Sequence, residues 1–210
     1  MSIVSQPVIC YSRLDNPRFL IILAGNSVGG LMPILAAFFL SILMLSSSAK
    51  SQTFPDVAVD LEVNEYLGRW YEVASTKPFF QAGCVCVTAD YALLEDGNVE
   101  VVNTCRKDSV TAIAEPVIGI AATTSNPAKF KVSFGNIPAF FSNYWVVSLA
   151  ADYSWAVVSS PFRNPIWILS RTPDLDPSIL DSIKKDLDQR GFDVEAITPT
   201  LQSGCWALAQ

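Results

Sequence analysis

The chain reads as all-β: an eight-stranded antiparallel up-and-down β-barrel followed by a C-terminal α-helix. Three observations lead there. From residue 69 to 171 apolar and polar residues alternate in short runs separated by turn signals. Helical periodicity is almost absent before residue 177. Strands that succeed one another through hairpin-like turns are best closed into a barrel, because closure removes the unpaired edges of an open sheet.

The first strand is expected over 69–76. It is entered through Tyr66-Leu67-Gly68-Arg69-Trp70, where Gly68 supplies a backbone conformation that other residues resist and Trp70 a large apolar body. The loop 77–83 leads to a second strand, 85–94, which turns at Glu95-Asp96-Gly97-Asn98 into a third, 99–105; Asp-Gly between apolar runs is a hairpin signal. A fourth strand covers 111–121, with Pro116 marking an edge or an irregularity. Ser125-Asn126-Pro127 then opens 129–134, which alternates with period two. After the apolar loop 135–142 come strands at 144–149, 155–159 and 166–171, joined by turns at Asp152-Tyr153 and at 161–165. Asp176-Pro177-Ser178 starts the helix, Ile179, Leu180, Ile183 and Leu187 recur at its spacing, and Gly191 stops it. A last short strand is expected at 194–198, before Cys205.

Two regions are expected: a leader, 1–49, and the barrel domain, 50–210. Residues 31–45 form a nearly uninterrupted apolar run followed by Ser46-Ser47-Ser48-Ala49, too short for a comfortable membrane span and suited to a secretory signal cut after Ala49. The nearest upstream cation is Arg18, and a start at Met32 would supply the positive amino end instead. A secreted, extracellular protein is the expectation; an organelle lumen, the periplasm or retention through the leader are the alternatives. The whole chain carries a net charge of −6, and the leader holds Arg13, Arg18 and Asp15, so −6 minus +1 leaves −7, which disfavours nucleic acid. There is no histidine, which removes the usual general base and the commonest zinc ligand. Cys84, Cys86, Cys105 and Cys205 are an even set that fits two disulfides in an oxidising compartment; a Cys-x-Cys metal site is the rival, lacking a second pair to complete it. No metal and no cofactor are expected.

Gly68-x-Trp70, Asp152-Tyr153 and Arg171 within Ile168-Leu169-Ser170-Arg171-Thr172-Pro173 resemble, in order, the three signatures of the lipocalin family, in its apolipoprotein D-like and bacterial branch. The resemblance covers most of 60–206. It implies that Arg171 packs across Trp70 and shuts one end of the barrel, a structural role that a guanidinium on an indole can fill while it reaches backbone carbonyls. It also implies that Cys86 bonds Cys205 and Cys84 bonds Cys105, with the exchanged pairing open because both cysteines of Cys-x-Cys share a face. No lipobox precedes Cys10, so the lipid-anchored form of the bacterial branch is in doubt.

Function is expected in the cavity above Trp70. The resemblance places Tyr91, Asn103 and Trp167 toward the pocket; period two adds Glu72, with Ala74 on the same face, and more weakly Phe130, Val132 and Phe134. Such a calyx suits an elongated apolar ligand with a small polar head, and ordinary barrel core is the alternative for any one aromatic. An inward Glu72 requires a partner or a raised pKa, and hydrogen bonding to a neighbouring strand is expected rather than chemistry. Strand order gathers Phe79, Phe80, Ile137, Phe140, Phe141 and Phe162 on one rim, where they either dock on a membrane, lipoprotein or partner subunit or fold inward to line the mouth. The function expected is therefore binding and transport of a small hydrophobic ligand (lipid, fatty acid, retinoid or pigment) without catalysis. The rivals are a barrel enzyme of thiol-isomerase or pigment-modifying type, and an oligomerising protein-binding module.

Overall fold

A short helix, α1 (Val63–Tyr66), leads into β1 (Gly68–Ser75), and Gly68 makes the junction at a φ of +88°, a region that strains residues with a Cβ. Seven strands follow: β2 (Cys84–Leu93), β3 (Val99–Lys107), β4 (Ala114–Ala122), β5 (Lys129–Phe134), β6 (Tyr144–Leu149), β7 (Trp155–Ser159) and β8 (Ile166–Ser170). Helix α2 (Pro177–Gln189) and the two-residue β9 (Thr198–Pro199) end the fold. The structure is a computed structural model that describes residues 53–58, 61–136 and 138–205. The expected leader, with its apolar run 31–45, and Ile137 of the rim lie outside the described residues.

Strands β2 to β8 pair in chain order, and β1 pairs antiparallel with both β8 and β2, so the eight-stranded sheet closes on itself. Pro116 sits opposite Thr104 of β3, whereas the pairing of β4 with β5 begins only at Gly119. The proline therefore occupies a stretch of edge where its missing N–H costs no ladder bond. Strand β4 starts at Ala114 rather than at 111, because Ser109 turns the preceding chain: its hydroxyl accepts from the Thr111 N–H. The strand expected at 194–198 is reduced to Thr198–Pro199, since β1 offers a free edge only at Ala74 and Ser75.

Period two divides the barrel wall into two cores. The interior cluster holds Trp70, Tyr91, Val99, Val101, Phe130, Val158 and Leu169. The outer cluster sets Ile183 and Leu187 of α2 against Val147, Val157, Ile166 and Ile168. Asp176 caps α2 by accepting from the Ser178 N–H at 2.8 Å, with Pro177 in the first turn. Ala74 belongs to the outer cluster, not to the inner face expected from Trp70, because a β-bulge between Glu72 and Ala74 resets the alternation.

Two seams interrupt the wall. Strand β1 pairs with β2 only over Gly68–Tyr71. Above that point the C-terminal segment takes the gap: Thr200 N–H donates to Val73 O at 3.0 Å, and Cys86 N–H donates to Leu201 O at 2.9 Å. The Gln202 amide donates to Glu72 O and Val87 O, both at 2.8 Å. Disulfides join Cys86 to Cys205 and Cys84 to Cys105. At the second seam β5 and β6 share only the pairs Lys129–Trp145 and Phe130–Tyr144. Beyond them the Asn143 side chain stands in for a strand, accepting from Val132 N–H at 2.8 Å and donating to Val132 O at 2.9 Å.

Candidate ligand site in the barrel interior

One end of the barrel is shut. The guanidinium of Arg171 lies 3.8 Å from the centroid of the fully buried Trp70 ring and donates to Arg69 O at 3.0 Å and Glu65 O at 2.7 Å. Trp70 Nε1 in turn donates to Tyr66 O at 2.8 Å, which binds α1 across the opening. Tyr153 closes the same end: its hydroxyl accepts from Glu62 N–H at 2.8 Å and its carbonyl accepts from Arg171 Nε. Asp152 shapes that turn by accepting from Ser154 N–H. Burial pulls the Arg171 pKa down, and the neighbouring Glu65 carboxylate offsets this only in part.

Above Trp70 the floor is built from three tyrosines brought together by α1, β2 and β6. The Tyr144 hydroxyl lies 2.8 Å from that of Tyr66 and 2.9 Å from that of Tyr91, forming a three-membered chain with Tyr144 in the middle. The Tyr66 ring stacks between Trp70, at 5.0 Å, and Tyr91, at 5.6 Å. Burial raises the pKa of all three phenols, that of Tyr91 to about 12. They are neutral hydrogen-bonding groups at physiological pH. The space they leave, walled also by Val101, Phe130 and Val132, measures about 20 Å³, the room of a single water. Tyr66 and Tyr144 carry no isolated sequence signal, since each reads as ordinary core until closure places it beside Tyr91.

Higher up, Phe130, Val132 and Phe134 point inward from β5 and pack into the interior cluster. Phe134 lies over Gly119, where a Cβ would come within 2.6 Å of its ring and of Ser133 O. Asn103 is half-buried and shares the inner face with Val99 and Val101. Its cross-strand neighbour Val117 is 54% exposed although it holds an inward register, which marks this upper half as open to solvent. On the opposite wall Trp167 Nε1 donates to Gln81 Oε1 at 2.6 Å, Gln81 Nε2 donates to Glu72 Oε2 at 2.9 Å, and Thr200 Oγ1 donates to Glu72 Oε1 at 2.6 Å. Glu72, only 4% exposed, thus obtains its partners from the β1–β2 loop and the C-terminal segment rather than from a neighbouring strand. Gln81 and Thr200 escape sequence reasoning because each lies outside the regular strands.

The open rim carries Phe79, Phe80, Phe140, Phe141 and Phe162, all exposed, Phe79 to 90%. Phe141 meets Phe162 edge-on at 6.4 Å, and Phe79 meets Phe80 at 5.5 Å. Among the described residues no cluster of His, Cys, Asp or Glu could hold a metal ion, and no helix is long and apolar enough to cross a membrane.

This closed-end barrel agrees with comparisons to known proteins. The family model for the lipocalin-like domain matches residues 59–202. Mouse apolipoprotein D is 35% identical over 80% of this chain and 95% of its own length. The outer membrane lipoprotein Blc of Escherichia coli K12 is 33% identical over 83% of this chain and 98% of its own length. Temperature-induced lipocalin-1 of Arabidopsis thaliana is 32% identical over 70% and 83%. Among solved structures, lobster apocrustacyanin A1 superposes with a TM-score of 0.53 at 19% identity, over 71% of this chain and 90% of its own; at that identity the likeness concerns the fold. The chain belongs to the lipocalin family.

Proposed function

We propose that this protein binds and carries a small hydrophobic molecule in the upper half of its barrel, without catalysis. The observation that carries the reading is the contrast between the two ends. Trp70, Arg171 and the tyrosine floor seal one, leaving about 20 Å³, whereas inward residues such as Val117 face solvent at the other. The body of a ligand would lie between Phe134, Asn103 and Trp167, a largely apolar wall with few polar groups to orient it. Family membership supports carriage. The pairing of Cys84, Cys86, Cys105 and Cys205 supports a secreted or otherwise oxidising location and leaves no free thiol among the described residues for isomerase chemistry.

The exposed phenylalanines extend this reading to a docking site on a lipid surface, where apolar rings enter the interface while ligand passes. Extraction and mass spectrometry of the protein from its natural source should yield a stoichiometric lipophile; empty protein that also fails to take up apolar probes would refute the carrier reading. Phe79→Ser combined with Phe140→Ser should abolish binding to neutral phosphatidylcholine vesicles while leaving ligand uptake unchanged. Unaltered vesicle binding would refute docking. Size in solution, with and without ligand, separates docking from assembly through the same rim.

A further inference from the structure

The charges of the described barrel are distributed unevenly between its two faces. At inward register the strands present three ionisable side chains of fixed sign: Glu72 on β1, and at the mouth Glu115 on β4, opposite Cys105, and Lys107 at the end of β3. Lys107 apart, no lysine or arginine of the described strands holds an inward register, and the Lys107 ammonium is bound at the rim by Ala82 O. Each cation of the wall is engaged elsewhere. Arg69 pairs with Asp90 on the outside at 2.8 Å, Lys129 lies 3.7 Å over the Trp145 ring of the outer cluster, and Arg171 is used up below Trp70. Arg106 and Lys107 bind the backbone carbonyls of Val110 and Ala82 in the rim loops. Lys131 is exposed between the inward Phe130 and Val132.

Among the described residues no cation pairs with Glu72. Its two oxygens accept from Thr200 and Gln81, neutral donors that hold the carboxylate in place and leave its charge uncompensated. The Gln81 amide passes this orientation on to Trp167, which lines the chamber. A second negative charge entering that chamber would meet Glu72 in an apolar surrounding, where like charges interact far more strongly than in water. The tyrosines of the floor cannot relieve it fully, since they are neutral donors already committed to one another.

We infer that this calyx discriminates by charge: it takes neutral lipophiles with a hydroxyl or keto end and rejects those ending in a carboxylate, and Glu72 is the residue that sets the preference. The inference deepens the carrier reading above and rests on it.

All-trans-retinol and all-trans-retinoic acid test it, because they share one polyene and differ in the end group. Their affinities are read at pH 7.4 from quenching of tryptophan fluorescence, Trp70 and Trp167 being the interior indoles. The wild-type protein should bind retinol at least about tenfold more tightly than retinoate. Glu72→Gln should reduce that ratio to about threefold or less, chiefly by improving retinoate. Asn103→Lys, which places a cation on the inner face away from the Glu72 network, should turn the preference toward retinoate. Equal affinities in the wild type, or a ratio unchanged in both variants, overturns the inference and leaves the carrier reading standing. If neither retinoid nor any other apolar probe binds, the carrier reading falls and this inference with it.

Discussion

Replacing Tyr144 by phenylalanine removes the middle hydroxyl of the floor and leaves its ring in place. Two hydrogen bonds vanish, at 2.8 and 2.9 Å, and the hydroxyls of Tyr66 and Tyr91 remain buried with no protein partner. A stranded buried hydroxyl costs about 1–3 kcal/mol, so Tyr144→Phe should destabilise the domain by about 2–6 kcal/mol. Tyr91→Phe and Tyr66→Phe each remove a terminal hydroxyl; Tyr144 then keeps its other partner, and the cost should be only about 0.5–1.5 kcal/mol. The triple phenylalanine variant strands nothing and should be more stable than Tyr144→Phe alone, since exchanging all partners for apolar groups of the same shape is nearly neutral. Urea unfolding of the oxidised protein at pH 7, followed by tryptophan fluorescence, measures all four midpoints. A Tyr144→Phe variant as stable as Tyr91→Phe, or less damaged than the triple variant, would refute the chain of hydroxyls with Tyr144 at its centre.

Gly119→Ala should cost about 1–3 kcal/mol and weaken binding of apolar probes, because its Cβ would meet the Phe134 ring and Ser133 O at 2.6 Å; unchanged unfolding and uptake would show that the wall yields freely. The folded-state pKa values of Tyr66, Tyr91 and Tyr144 lie above the unfolded value of about 10, so the stability they contribute is complete below pH 10 and is lost as pH rises toward 12 and beyond. A spectrophotometric titration should show these three phenols ionising only together with alkaline unfolding; normal titration in the folded protein would contradict their burial. The two disulfides close sequence separations of 119 and 21 residues, for which chain entropy gives about 5 and 3 kcal/mol. Cys86→Ser with Cys205→Ser should therefore lower the denaturation midpoint more than Cys84→Ser with Cys105→Ser, and the reverse order would count against tail closure as the larger constraint.

The strands are legible in the sequence because their signal is local. Period two in 129–134 and the Asp96-Gly97 turn need no knowledge of the rest of the chain, and Gly68-x-Trp70 with Arg171 marks the shut end. What is not legible depends on closure. Tyr66, Tyr91 and Tyr144 lie on three separate elements and share hydroxyls only once β1 meets β2 and β5 meets β6. Gln81 reaches Trp167 from a loop, where neither period nor spacing constrains it. The bulge after Glu72 shifts Ala74 to the outer face, and nothing in Glu72-Val73-Ala74 announces it. Thr198–Pro199 is too short to show a pattern, so the strand expected at 194–198 is displaced toward the edge that β1 leaves free.

The segment 198–205 lies between β1 and β2, which makes the beginning and the end of the domain neighbours in space. A polypeptide leaves the ribosome amino end first, so every growing copy carries a slotted wall until these residues emerge, and the upper edge of β1 stays bare for that time. Thr200 and Gln202 arrive on this late segment, and they complete the hold on Glu72 that Gln81 begins, at one carboxylate oxygen and at the backbone carbonyl. The chamber therefore acquires its finished inner surface at the moment the slot fills, and cargo taken up earlier would meet a wall still under construction.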